Sequence, residues 1–233
     1  MRIGVLGCGN VGAALVDIVR TRADAIEERT GIRLEIASVA VRNISAPREV
    51  EVGDDLLTRD AMAVVTDPEI DLVVESIGGI EPARELILAA LAGGKPVVTA
   101  NKELLANVGA ELYAAADEAG CDLLFEAAVA AGIPFIRVLR ESLYGEPITR
   151  ILGIINGTTN YILTKMTDAV DAGGDADYGA ALKDAQSLGY AERDPTADVE
   201  GYDAGAKAAI IATVAFGRRV VAGDVYHQGI SEI

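Results

Sequence analysis

Apolar and polar positions follow two rhythms along the first half of this chain. Residues 2–6 (RIGVL) form a short apolar run, and the segment AALVDIVRTRADAIEERTG behind it spaces its apolar residues as a helix does. The exchange then repeats. Residues 33–43 predict a strand, and residues 44–66 a charged excursion that carries Pro47, Gly53 and a helix. Residues 71–75 predict a buried strand that ends in the small-residue turn Ser76, Ile77, Gly78, Gly79. A helix over 82–92 is closed by Gly93 and Gly94, a strand runs from Pro96 towards Lys102, a helix covers 103–120, and a further strand covers 121–126. Strands and helices in strict alternation predict a Rossmann-type, doubly wound parallel sheet. Ligands in such sheets bind beyond the carboxyl ends of the strands. Residues 7–12, residues 76–79, Lys102 and Glu126 all fall there.

The rhythm changes after Glu126. The small-residue run EAAVAAGIP leads into a helix that reaches about Tyr144. A strand is predicted over 149–155, then the polar run NGTTN at 156–160, then a helix from Tyr161. One helix-capping residue explains part of that polar run, but capping does not need all five. Residues 168–180 are acidic, glycine-rich and expected to be exposed, and residues 181–188 lead into the stretch that starts at Gly189. Residues 189–217 begin as an acid-rich loop and become a helix that is apolar almost all the way round. Two charges remain on it, Asp203 and Lys207, four residues apart and therefore on one face with Ala204, Ile210 and Ile211. This spacing usually marks a surface ion pair. A helix apolar on all sides is normally buried, and a buried lysine is costly unless it is paired or used, so the flanking residues favour a functional pair. The expected organisation is a dinucleotide-binding domain over 1–130 and an α+β catalytic, substrate and dimerisation domain over 131–233.

The first strand, the glycine turn Gly7, Cys8, Gly9, Asn10, Val11, Gly12 and the helix after it give a G-x-G-x-x-G motif its expected context. The first glycine permits the tight turn, the second a close approach of a pyrophosphate, and the third close packing of helix on strand. Free N–H groups at the helix start then suit phosphate. Gly7, Gly9, Asn10, Val11, Gly12 and Ser76 are therefore candidate cofactor contacts. An acid at the end of the second strand would bind a ribose 2′-hydroxyl, but this strand ends in Val41, Arg42, Asn43. Arginine suits a 2′-phosphate, so NADP(H) is favoured over NAD(H).

Composition narrows the reading further. The 233 residues carry a formal charge of −16, which argues against nucleic-acid partners. No apolar run reaches membrane-spanning length, and the first residues have none of the features of a signal peptide, so a soluble cytoplasmic protein is expected. Cys8 and Cys121 sit in no metal-binding cluster, and His227, the one histidine, has no nucleophile motif beside it. Zinc chemistry and histidine-based catalysis are excluded on these grounds.

Four segments carry a family resemblance: ANKELLA (100–106), EAAVAAGIP (126–134), GIINGTTNYILTKM (153–166) and AQSLGYAERDPTADVEGYDAGAKAAI (185–210). Together they resemble homoserine dehydrogenases. The resemblance implies hydride transfer between NADPH and L-aspartate 4-semialdehyde to give L-homoserine, on the path to threonine, methionine and isoleucine. It implies Lys207 as proton donor, Asp203 and Glu192 as acids that bind the substrate amino group, Lys102 beside nicotinamide and substrate, and Gly189 against the cofactor. It also implies a sodium ion held by Glu126 and by the carbonyls of Val129, Ala131 and Ile133, where Ala131 is tolerated because the site is largely backbone. The family's chain continues past residue 233, so the catalytic domain is expected to be incomplete here, to lack any regulatory ACT domain and to form at least a homodimer. Two alternatives remain: an inactive NADP-binding fragment or sensing subunit, and a dehydrogenase for a related amino-acid semialdehyde.

Overall fold

The strand β1 (Arg2–Leu6) is buried at every residue from Ile3 to Leu6, as the centre of a parallel sheet covered on both faces requires. Around it lie β2 (Glu35–Ala40), β3 (Leu57–Thr58), β4 (Leu72–Glu75), β5 (Val97–Thr99) and β6 (Leu123–Leu124). In this computed structural model, which describes residues 1–48 and 50–233, they form one sheet in the order β3-β2-β1-β4-β5-β6. Every pair is parallel. The chain works outward from β1 to β3 and then crosses to β4 on the other side. The topological switch point therefore lies between β1 and β4, where this class of sheet opens a ligand crevice. The doubly wound sheet expected from the sequence is present.

Helices α1 (Asn10–Thr30), α2 (Ala61–Thr66), α3 (Ala83–Ala92) and α4 (Lys102–Ala119) make the connections. Val16 and Val19 of α1 pack with Ile3, Val5 and Val39 in one apolar cluster. The register sets Leu6 beside Glu75 and Glu75 beside Thr99, so three strand ends stand level. Two details differ from the sequence expectation. The second strand stops at Ala40, which leaves Val41, Arg42 and Asn43 in the loop beyond it. The short β3 was not anticipated, because two residues carry no periodicity; Val39 and Ala40 define it by pairing with it.

The chain divides into two compact units, Met1–Phe135 and Ile136–Ile233. The second contains a π-helical turn (Val138–Ser142) and helices α5 (Gly157–Asp171), α6 (Tyr178–Ser187), α7 (Thr196–Val199) and α8 (Tyr202–Phe216). Its core gathers Ile162 and Met166 of α5, Ala181 and Ala185 of α6, then Ala191, Val199 and Ile230. Ile230 is drawn in by its N–H, which donates to the carbonyl of Val199 (2.8 Å). Among the described residues this unit has no strand. The one expected over 149–155 has no ladder partner there, and a strand exists only by pairing. Leu152 and Ile154 are each 78% exposed on this segment.

Helices α5 and α6 are also joined by a polar bridge. The Tyr161 hydroxyl donates to Asp184 Oδ2 (2.6 Å), and the Lys165 ammonium lies 3.1 Å from the same oxygen. The Tyr161 hydrogen bond, followed by that of Lys165, holds the Asp184 carboxyl below its ordinary range. A carboxyl lowered by folding contributes stability above its unfolded value and loses that contribution as pH falls through the folded one. Asp184→Asn is expected to lower the thermal midpoint modestly at pH 7. The gap from the unsubstituted protein should narrow steadily under acid. Melting curves across that range check it, and a gap independent of pH would contradict the assignment.

Candidate functional site

The carboxyl edge of the sheet in the first unit opens into a cleft of about 740 Å³. Its floor is the turn after β1. Gly7 holds φ +94 and its N–H donates to the carbonyl of Ala40 (2.9 Å). The geometry around Gly12 excludes any side chain: a Cβ there would stand 2.2 Å from the Gly7 carbonyl oxygen. A Cβ on Gly9, by contrast, would meet nothing within 4 Å, so the middle of the turn faces open space. Gly9 caps α1, Asn10 opens it, and Val11 is 57% exposed beside them. A tight turn, an open middle and a helix start together form a cradle fitted to a pyrophosphate. The Ser76 hydroxyl fastens the neighbouring turn to this floor through the carbonyls of Leu6 and Gly7 (3.2 Å each).

Three arginines line the cleft, Arg42, Arg48 and Arg59. The Arg48 guanidinium donates to the carbonyls of Asn43 (2.6 Å), Ile44 (2.8 Å) and Ala46 (3.0 Å), so it shapes the loop. Arg42 and Arg59 are exposed at the cleft. The sequence reading missed Arg59 because its position depends on the unanticipated β3.

Lys102 opens α4, directly after Asn101, whose side chain caps the helix by accepting the Leu104 N–H (3.0 Å). Glu126 starts a short helical turn, Glu126–Ala128, and its Oε1 accepts the N–H of Phe135 (2.8 Å). That bond ties off the loop containing Val129, Ala131 and Ile133. Ala131 sits at φ +51, a left-handed conformation that is costly for a residue with a Cβ. Carboxylate and carbonyl oxygens are hard donors suited to a hard cation. Among the described residues, no group of three or more His, Cys, Asp or Glu side chains could hold a metal.

In the second unit, Asp203 and Lys207 form the pair that the helix pattern suggested. Lys207 Nζ lies 2.8 Å from Asp203 Oδ2, with the side chains 18% and 5% exposed. Ala209, Ile210 and Ile211 of the same helix are buried. This is not a surface ion pair. The ammonium also donates to the carbonyl of Ile155 (2.9 Å). Asn156, the next residue, is buried and bridges two acids: its Nδ2 donates to Asp198 Oδ1 (2.7 Å) and to Asp203 Oδ2 (2.9 Å). Its Oδ1 accepts from the N–H and hydroxyl of Thr159 (2.8 and 2.9 Å), and so caps α5. The Thr158 hydroxyl donates to the carbonyl of Tyr190 (2.6 Å). The NGTTN run thus caps a helix and orders an acid cluster at once. Asp198 escaped the sequence reading because acids crowd that loop and none stands out. Glu192 lies exposed on the loop, and its carbonyl accepts from Gln186 Nε2 (3.0 Å). Gly189 turns the chain at the end of α6. His227 packs edge-on against Tyr202 with ring centroids 4.8 Å apart, and its Nδ1 lies 3.1 Å from the Glu200 carbonyl, which is a structural role.

The sheet order, the glycine cradle and the cleft at the switch point define a dinucleotide-binding protein of the Rossmann class. A family profile described as homoserine dehydrogenase, NAD binding domain, matches residues 7–126, and the homoserine dehydrogenase profile matches residues 134–233. The chain is similar to homoserine dehydrogenase from Corynebacterium glutamicum, at 53% identity over 231 residues, which is 99% of this chain and 51% of that protein. Among solved structures it resembles a homoserine dehydrogenase from Thiobacillus denitrificans (TM-score 0.87, 45% identity, 100% of this chain and 53% of that one). It also resembles a hyperthermophilic archaeal homoserine dehydrogenase in complex with NADPH (TM-score 0.79, 32% identity, 94% and 70%). The chain belongs to the homoserine dehydrogenase family. It spans about half the length of the relatives named from Corynebacterium and Thiobacillus.

Two substitutions test these sites. Gly12→Ala should weaken nicotinamide dinucleotide binding about ten- to hundredfold, from an overpacking cost of ~1–3 kcal/mol, as read by fluorescence titration. Unchanged affinity would refute the cradle. Asn156→Ala leaves two acids short of a donor and should destabilise the protein by about 1–3 kcal/mol in denaturant unfolding.

Proposed function

We propose that this protein performs homoserine dehydrogenase chemistry, with NADPH as hydride donor and L-aspartate 4-semialdehyde as acceptor, giving L-homoserine for threonine, methionine and isoleucine synthesis. The observation that carries this reading is Lys207, an ammonium held on an apolar helix by one carboxylate and one carbonyl. Bound NADPH would supply the hydride. Negative charge then develops on the aldehyde oxygen, and an ammonium both neutralises it electrostatically and donates the proton. Lys207 takes that role, and Asp203 orients it. Asp203 and Glu192 receive the substrate's α-ammonium by charge-assisted hydrogen bonds. Lys102 stands beside nicotinamide and substrate, and Gly189 against the cofactor.

Arg42 takes the 2′-phosphate, which makes NADP(H) the preferred cofactor. The cradle residues Gly7, Gly9, Asn10, Val11 and Gly12, with Ser76, hold the rest of the dinucleotide. Glu126 with the carbonyls of Val129, Ala131 and Ile133 holds a sodium ion, a role supported by their oxygen donors and their shared loop. The protein works as a homodimer or larger assembly in which another chain covers the exposed segment 149–155. Sedimentation that shows only monomer would remove that part of the reading.

Aldehyde-dependent loss of NADPH absorbance tests the activity. Lys207→Ala should slow turnover about 10²–10⁴-fold, the range for losing a positioned acid. Equal rates with and without the lysine would rule the mechanism out. Arg42→Asp should reverse the preference between NADPH and NADH, because a carboxylate repels the phosphate and accepts from a ribose hydroxyl. Identical kinetics in that variant would overturn the cofactor assignment.

A further inference from the structure

Glu75 ends β4 with no exposed surface, and among the described residues the donors to its carboxylate are two backbone N–H groups and a hydroxyl. Its Oε1 accepts the N–H groups of Ile77 (2.7 Å) and Gly78 (3.2 Å), so it folds the turn over itself. Its Oε2 accepts the hydroxyl of Thr99, the last residue of β5, which is also fully buried. The Thr99 oxygen in turn accepts the N–H of Asn101 (3.0 Å). Asn101 is 5% exposed, and its Nδ2 donates back to the carbonyl of Gly79 (2.6 Å) while its Oδ1 caps α4 at Leu104 (3.0 Å). The bonds close a ring that runs from Glu75 through Thr99 and Asn101 to Gly79. It joins two turns that are adjacent in the sheet but 24 residues apart in sequence.

One turn contributes Ser76, Ile77 and Gly78 to the wall of the dinucleotide cleft. The other leads straight into Lys102 at the first position of α4. A buried carboxylate would be costly unless its oxygens were met by donors, and here each donor belongs to one of those two turns. We propose that Glu75 is a positioning residue whose buried carboxylate, through Thr99 and Asn101, locks the cofactor-lining turn at residues 76–79 to the turn that presents Lys102. Its importance for hydride transfer rests on the function proposed above. The lock itself is made entirely of this chain's own groups.

The test follows amide hydrogen exchange and NADPH affinity in the 233-residue chain. Thr99→Val keeps the side-chain shape and removes the hydroxyl. It should speed exchange about tenfold at Ile77, Gly78 and Leu104 together, the size expected for losing one buried hydrogen bond, and leave Ala13 beside the glycine cradle unchanged. Thr99→Ser restores the hydroxyl and should restore protection at all three amides. NADPH affinity should fall about tenfold in the valine variant and recover in the serine variant. Glu75→Gln should shift the Ile77 and Gly78 amide resonances upfield, because the charged acceptor is gone. Unchanged exchange at Ile77 and Gly78 in Thr99→Val, or equal acceleration at every amide including Ala13, would overturn the proposal. Coupled exchange in a protein that neither binds NADPH nor reduces the aldehyde would leave the lock standing and remove the proposed function. NADPH binding and turnover without coupled exchange would do the reverse.

Discussion

A carboxylate that leaves water must be met by donors, and each unit of this protein is arranged around one that has. In the first unit it is Glu75, held by two backbone N–H groups and a threonine hydroxyl. In the second it is Asp203, held by Asn156 and Lys207. An unpaired buried charge costs several kcal/mol, so these donors fix the backbone that carries them. Ile77 and Gly78 can take up only the turn that keeps their N–H groups on Glu75. Asn156 can cap α5 and reach Asp198 and Asp203 only if the start of α5 lies against the start of α8. Burial thus converts single polar side chains into constraints on whole turns.

The polar groups of the cleft divide between building and waiting. Arg48 is turned onto three carbonyls and shapes its loop, while Arg42 and Arg59 stay exposed at the opening. Ser76 is fastened to the β1 turn. Gly9 leaves free space at the point where a phosphate would meet the first N–H groups of α1. A protein that binds a polyanion while carrying a net charge of −16 needs this local concentration of arginine and helix N-terminus, because its overall field opposes the approach.

Much of this was legible in the residues. Strict strand–helix alternation announces the parallel sheet, since few other arrangements bury every apolar run. The glycines at 7, 9 and 12 identify the cradle, because only a missing Cβ permits that approach to Gly7. The apolar surroundings of Asp203 and Lys207 mark the pair as buried; the structure buries Asp203 and leaves Lys207 partly exposed, at 5% and 18%. Other features were out of reach. The strand expected over 149–155 follows from an apolar pattern that the residues do carry, but a pattern cannot supply the neighbouring strand that makes the ladder.

Local chemistry along the chain therefore determined the elements, the dinucleotide turn and the pairing of Asp203 with Lys207, because each depends on residues a few positions apart. Only the tertiary structure decided who would satisfy the buried charges. Glu75 meets Thr99, Asn156 meets Asp198 and Asp203, and Lys207 meets the carbonyl of Ile155. These partners lie tens of residues apart, and nothing in their spacing announces them. Hydrogen bonds at 3 Å are set by how strands and helices pack, and that packing is decided by the whole of each unit together.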